Sequence, residues 1–252
     1  MADSQDRPGP LLDARQRARH REGVDQQLVI SSLRDNCLFE HADERALEDI
    51  AKQLRRRRFR RNETIFHQGD PGDSLHVVTA GAVKIVLPSL EGEEAIIATL
   101  RSGDFFGELA LLDGAPRSAT AVALEATETW TLPRAAFLTL LDRDKALRES
   151  LLAGIATELR RITGHVEELH FLDLAGRLAS RLARLAREED PEASEVSLDW
   201  PYTQSDLASM IGGTRQSVNK LLSGLVERGL VVIERDTLVI PDIEALELEA
   251  ER

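Results

Sequence analysis

The stretch Phe105–Thr120, FFGELALLDGAPRSAT, sets a glycine and a carboxylate (Gly107, Glu108) one short apolar turn ahead of an arginine and a hydroxyl (Arg117, Ser118). A guanidinium and main-chain N–H groups at a helix start can face a phosphate. A carboxylate can accept a hydrogen bond from a sugar hydroxyl. Together these types fit a cyclic ribose phosphate. No comparable grouping for catalysis stands out. There is no nucleophile–base arrangement, metal-ligand cluster or nucleotide-triphosphate loop, so an enzyme is not expected.

The elements that must hold this cassette change character along the chain. Residues 1–27 are polar and carry Pro8, Gly9 and Pro10, which reads as a disordered or partly helical tail. From Val29 to Leu54 the apolar spacing is helical, with Asp43 as an N-cap for Glu44–Leu54. From Phe59 to Leu132 short strand-like runs follow: Thr64–His67, Leu75–Thr79, Ala82–Leu87, Ala95–Leu100, Ala119–Ala123 and Thr127–Leu132. Glycine-bearing turns separate them, which predicts a small all-β barrel or roll. Arg55–Arg61 holds six arginines. Their long stems suit an exposed strand face; a nucleic-acid patch is the competing reading.

After Pro133 the chain reads as helical. Leu152, Ile155, Leu159, Ile162, Val166 and Leu169 recur at spacings of three and four, a heptad seam with charged flanks. Buried-core packing and a parallel dimer seam both predict this pattern; the charged flanks favour the narrow seam of a homodimer. Asp173 caps a further helix whose Leu174, Leu178, Leu182 and Leu185 share a face.

Thr203–Arg228 then shows two helices joined by Gly212-Gly213. Thr203 and Asp206 form an approximate capping box, Thr214 caps the second helix, and Gly229 closes it. A hairpin follows, Leu230–Glu234 and Thr237–Ile240. This is a winged helix-turn-helix, a reader of double-stranded DNA. Its outward positions Arg215, Gln216, Asn219 and Lys220, with Ser217, lie where a recognition helix meets base edges. The acidic stretch 242–252 reads as a solvated tail.

Composition sets bounds on all this. The net charge of −12 over 252 residues argues against indiscriminate coating of nucleic acid but leaves a local basic face free to act. The single cysteine, Cys37, excludes an intrachain disulfide and cysteine-held clusters. Its apolar neighbours make it a plain buried thiol. No apolar run spans a bilayer and no secretory core opens the chain, so no membrane partner is expected and the cytoplasm is the default.

The motifs GDPGDSLHVVTAGAVKIV (69–86), GDFFGELALLDGAPRSAT (103–120), FLDLAGRLASRLARLA (171–186) and TQSDLASMIGGTRQSVNKLLSGLVERGLV (203–231) occur in that order. On them the chain resembles the cyclic-AMP receptor protein and fumarate–nitrate regulator family of bacterial transcription factors, from about Leu28 to Ile240. The resemblance implies an α+β protein. A cyclic-nucleotide-binding β-roll (28–134) would lead through a linker and dimerisation helix (135–170) to a winged helix-turn-helix (171–241).

Gly107 and Glu108 match the family's ribose-binding pair, and Arg117 and Ser118 its phosphate-binding pair. Leu109 and Ala110 match the short helix whose amides face the phosphate. The adenine-contacting positions fall at Ile162 and Thr163. Thr163 keeps a hydroxyl; Ile162 does not, which leaves the base open. Cyclic AMP leads, with cyclic GMP and cyclic di-GMP as alternatives. Gln216 stands where relatives carry Glu, so the half-site differs there. Iron–sulfur cysteines are missing, and His67, His76 and His165 suit ordinary polar positions better than haem. No tightly bound cofactor is expected. RNA polymerase is a further partner the resemblance implies. Competing readings are a ligand-independent regulator of the same family, or a cyclic-nucleotide-binding subunit acting on a partner protein.

Overall fold

The computed structural model describes residues 29–251 apart from 32, 35, 37, 90–92 and 236. The N-terminal tail, Cys37 and the wing-tip Asp236 lie outside the described residues.

Asp43 opens helix α1 (Glu44–Ala51), its Oδ1 accepting from the Ala46 N–H at 2.7 Å. Leu47 and Ile50, three apart on that helix, are fully buried. Eight strands follow: β1 (Arg55–Phe59), β2 (Thr64–Phe66), β3 (Ser74–Ala80), β4 (Val83–Pro88), β5 (Glu94–Leu100), β6 (Phe105–Phe106), β7 (Thr120–Ala123) and β8 (Thr127–Pro133). They form two four-stranded antiparallel sheets, ordered β1-β8-β3-β6 and β2-β7-β4-β5. Val78, Val83, Phe106 and Ala121 pack between them. This is the expected β-roll. Between the β4–β5 pairs Ile85–Ala98 and Val86–Ile96, residue Ile97 is extra, a bulge that bends β5.

β1 is an outer strand. Arg56 and Arg58 both pair with Glu128 on β8, Arg58 at 2.7 Å. The arginine run is thus an exposed strand face, with its main chain in the sheet.

Helix α2 (Leu109–Asp113) interrupts the roll between β6 and β7. After β8 the helical stretch divides in two, α3 (Arg134–Arg143) and α4 (Lys145–Phe171). Asp144 makes the break. Its backbone is extended, and its carboxylate accepts from the Leu147 N–H to start α4.

The C-terminal unit comprises α5 (Leu174–Glu189), β9 (Val196–Asp199), α6 (Gln204–Ile211), α7 (Arg215–Glu227), β10 (Val232–Glu234), β11 (Thr237–Ile240) and α8 (Ile243–Ala250). Asp173, Thr203 and Thr214 cap α5, α6 and α7 as expected, and Thr203 with Asp206 completes a capping box. The wing gains a third strand, in order β10-β11-β9.

The acidic stretch 242–252 is not a solvated tail. Asp242 caps α8, and Ile243 and Leu246 are fully buried against α5. Its acids form ion pairs with the rest of the unit, Glu247 with Arg187 of α5 and Glu249 with Arg228. Apolar spacing of i, i+3 and i+7 (Ile243, Leu246, Ala250) is enough to fix the helix.

Candidate cyclic-nucleotide cavity and nucleic-acid interface

β6 delivers the chain to Gly107, whose φ of +85° is open to glycine at little cost. That geometry turns the chain from strand into α2. A Cβ at Gly107 would sit 2.5 Å from Arg117 Nη1, so the position also admits the guanidinium's close approach. Arg117 is 4% exposed. Its Nη1 donates to the Gly107 carbonyl (2.7 Å), its Nη2 donates to the Ser74 carbonyl (2.8 Å), and it lies 4.2 Å above the Phe66 ring. Asp73 stands 3.7 Å away but is well solvated. A guanidinium has five donors and two are spent here. Arg117 Nε is buried with no partner among the described residues. Burial pulls the Arg117 pKa down, while Asp73, Glu108 and Asp70 oppose it.

These groups border a cavity of about 840 Å³. Gly107, Glu108, Leu109, Ala110, Arg117 and Ser118 form one wall; Phe66, Ile85, Ala98 and Leu100 form another; and α4 closes it with Gly154, Thr157, Glu158 and Ile162. Gly154 lets α4 come close, because a Cβ there would meet the Phe105 ring at 3.2 Å. The volume suits a nucleotide-sized ligand. Burial pushes the Glu108 carboxyl up; its own amide and Arg117 oppose this and Glu158 adds to it. Asp104, also on the wall, is raised mainly by burial.

Ile162 lines the cavity, whereas Thr163 does not. One residue is about 100° around a helix. Thr163 is exposed and its hydroxyl donates to the Leu159 carbonyl at 2.9 Å. Of the seam residues, Leu152, Leu159, Ile162, Val166 and Leu169 are exposed, while Ile155 packs half-buried against the roll.

His76 is buried beside the cassette, stacked on Phe106 at 4.9 Å. Burial first, then the charge of Arg117, lowers its pKa to about 4. It is neutral at pH 7, and its ring nitrogens face the hydroxyls of Ser74 and Thr129 at 3.5 and 3.4 Å.

On α7, Arg215, Gln216, Asn219 and Lys220 are exposed. Thr203 and Thr214 are also exposed, and the Ser217 hydroxyl lies 2.9 Å from that of Thr214. Asn219 Oδ1 accepts from Gln204 at 2.9 Å, which orients its amide and leaves the NH₂ outward. Phe66, Asp104 and Glu158 line the cavity, and Ser74 adjoins it through its carbonyl's bond from Arg117, but none carries a recognisable spacing. Only the GDPGD turn, which aims Asp73 and Ser74 at Arg117, had a local signal.

Among the described residues no helix is long and apolar enough to cross a membrane. Residues 56–144 match the cyclic nucleotide-binding domain and residues 176–249 the Crp-like helix-turn-helix domain. The CRP-like cAMP-activated global transcriptional regulator of Mycobacterium tuberculosis is 31% identical over 210 residues, 83% of this chain and 94% of that protein. The cyclic AMP receptor protein of Thermus thermophilus is 33% identical over 194 residues, 77% of this chain and 87% of that one. The structure of FixK2 from Bradyrhizobium japonicum superposes with a TM-score of 0.70 at 23% identity, covering 77% of this chain and 96% of that one, and so shares the fold. With a roll, an interrupting cassette and a winged reader in this order, the chain belongs to the cyclic-AMP receptor protein and fumarate–nitrate regulator family of transcription regulators.

Proposed function

We propose that the protein is a homodimeric transcription regulator gated by a cyclic nucleotide, with cyclic AMP as the ligand. The observation that carries this is the convergence of Gly107, Glu108, Arg117, Ser118 and Ile162 on one cavity. The phosphate takes the unspent donors of Arg117, the Ser118 hydroxyl and the first-turn amides of α2. Glu108 accepts from the ribose hydroxyl. The relatives named above, described as a cAMP-activated regulator and a cyclic AMP receptor, support adenine as the base.

The exposed seam of α4 pairs with a second copy, and Thr163, turned away from its own cavity, is left to the neighbour's. Ligand shifts the dimer by binding one arrangement of α4 better than another. Two α7 helices then enter successive major grooves about 34–36 Å apart on a near-palindromic site. Titration calorimetry with cyclic AMP, cyclic GMP and cyclic di-GMP tests the ligand. Cyclic AMP binds most tightly, and Arg117→Ala abolishes binding. No heat with any of the three overturns the reading.

One observation favours a second reading. Ile162 offers no hydrogen bond to a base edge and adds an apolar side chain to the seam. A dimer held in the DNA-competent arrangement without ligand follows from that. Tight operator binding by nucleotide-free protein, unaltered by cyclic AMP, would identify it.

A further inference from the structure

The β2-β7-β4-β5 sheet is occupied on both faces. Side chains alternate along β4. Ile85 faces inward, and with its partner Ala98 and with Leu100 it lines the cavity. Ala82 and Val86 face outward with Ile96, Val122 and Leu124, and these join the apolar core of the DNA reader. Helix α6 of the reader lies across β5.

Lys84 stands in the middle of that outward face. Its Nζ is 2.9 Å from Asp206 Oδ1 and 3.5 Å from Glu94. The Lys84 and Asp206 side chains are only 12% and 11% exposed. Asp206 is also the capping-box residue of α6: it accepts from the Thr203 amide at 2.9 Å and from the Thr203 hydroxyl at 2.7 Å. Burial alone would raise the Asp206 carboxyl, but the bonds from Thr203 and Lys84 outweigh it and hold the pKa low. Close by, Arg61 donates from the roll to the Pro201 carbonyl at 2.9 Å. The first turn of α6 is therefore fastened to the back of the strand whose front is a cavity wall.

We propose that Lys84 is a positioning residue that couples the two sites through this strand. It fixes α6, and through it the recognition helix α7, to the register of β4 and β5. A ligand pressing on Ile85 and Ala98 shifts a layer one strand thick. Lys84 stands on the other side of that layer, and an ion pair at 2.9 Å is short-ranged and directional enough to carry the shift. Lys84 does not line the cavity and lies on the roll rather than on the recognition helix. The inference rests on the cavity binding a cyclic nucleotide and on α7 reading DNA.

The test uses the full chain, cyclic AMP, and a fluorescent duplex selected by the protein from a random pool. In the wild type the DNA affinities with and without cyclic AMP differ by about 5- to 150-fold, the usual span of allosteric coupling. In Lys84→Met that ratio falls to within about twofold of one, while cyclic-AMP affinity by calorimetry is unchanged. Lys84→Arg, which keeps the ion pair, keeps the ratio. A wild-type ratio in Lys84→Met overturns the inference. Should the wild type itself show a ratio of one, the functional reading fails, and amide hydrogen exchange then judges Lys84 separately. Faster exchange at Leu207, Ala208 and along β4 in Lys84→Met, but not in Lys84→Arg, supports the positioning role. Exchange identical in all three proteins refutes it.

Discussion

Gly107→Ala isolates the contact on which the cassette depends. The native φ is +85°, a conformation that costs a residue with a Cβ about 1–2 kcal/mol. The new Cβ would lie 2.5 Å from Arg117 Nη1. Ordinary contact is about 3.5 Å, so the guanidinium must retreat by roughly 1 Å. It has little room, being pinned by Ser74 and stacked on Phe66. The Arg117–Gly107 bond breaks, and a bond from a charged donor contributes about 1.5–3 kcal/mol. The sum is about 3–5 kcal/mol of stability. At about 2–4 °C per kcal/mol the melting temperature drops on the order of 10 °C. Affinity for cyclic AMP falls roughly tenfold to hundredfold, because the displaced guanidinium misses the phosphate.

Gly69→Ala is the control. It has a φ of +88° but nothing within 4 Å of the new Cβ. It therefore pays only the backbone cost of about 1–2 kcal/mol and keeps ligand affinity. Differential scanning calorimetry and ligand titration on both variants decide the matter. A Gly107→Ala protein that melts and binds like Gly69→Ala would refute the argument that Arg117 fixes the glycine.

Three further outcomes follow from the geometry. His76 has a folded-state pKa of about 4 against 6.5 unfolded, so the unfolded chain binds the extra proton between those values. Stability is full above about pH 6.5 and is lost by about 3 kcal/mol as pH falls to 4; His76→Phe removes that slope from melting curves. Glu108→Gln removes a half-buried charge whose pKa is raised, so it stabilises the ligand-free protein at pH 8 while weakening cyclic-AMP binding several-fold, about one hydrogen bond's worth. Leu159→Glu places a charge on the exposed seam, so light scattering reports monomer and DNA binding is lost; a dimer of wild-type affinity would place the interface elsewhere.

Local chemistry was legible in the sequence. Asp43, Asp173, Thr203 and Thr214 announced their helices because a cap needs only neighbouring residues. The cassette was legible for the same reason, since Gly107 and Arg117 are ten residues apart. The exposed strand face of the arginine run was legible too, from its long stems, although β1 has no apolar–polar alternation. What escaped was long-range or disguised. In α8 the run of glutamates hid Ile243, Leu246 and Ala250. Lys84 and Asp206 are 122 residues apart, and nothing near either one hints at the other. Arg117 read as a ligand group alone; its second task, holding Ser74 to Gly107, needed coordinates.

The arginines of β1 have one more consequence. An open sheet border with unsatisfied amides and carbonyls is a template on which another roll can add its own strand, the first step toward an aggregate. Here a second copy approaching that border would bring Arg55–Arg58 against the same four cations, with Glu128 pairing two of them. Like charges meeting across a strand spacing of about 5 Å repel. The run therefore opposes edge-to-edge pairing of the rolls at high concentration.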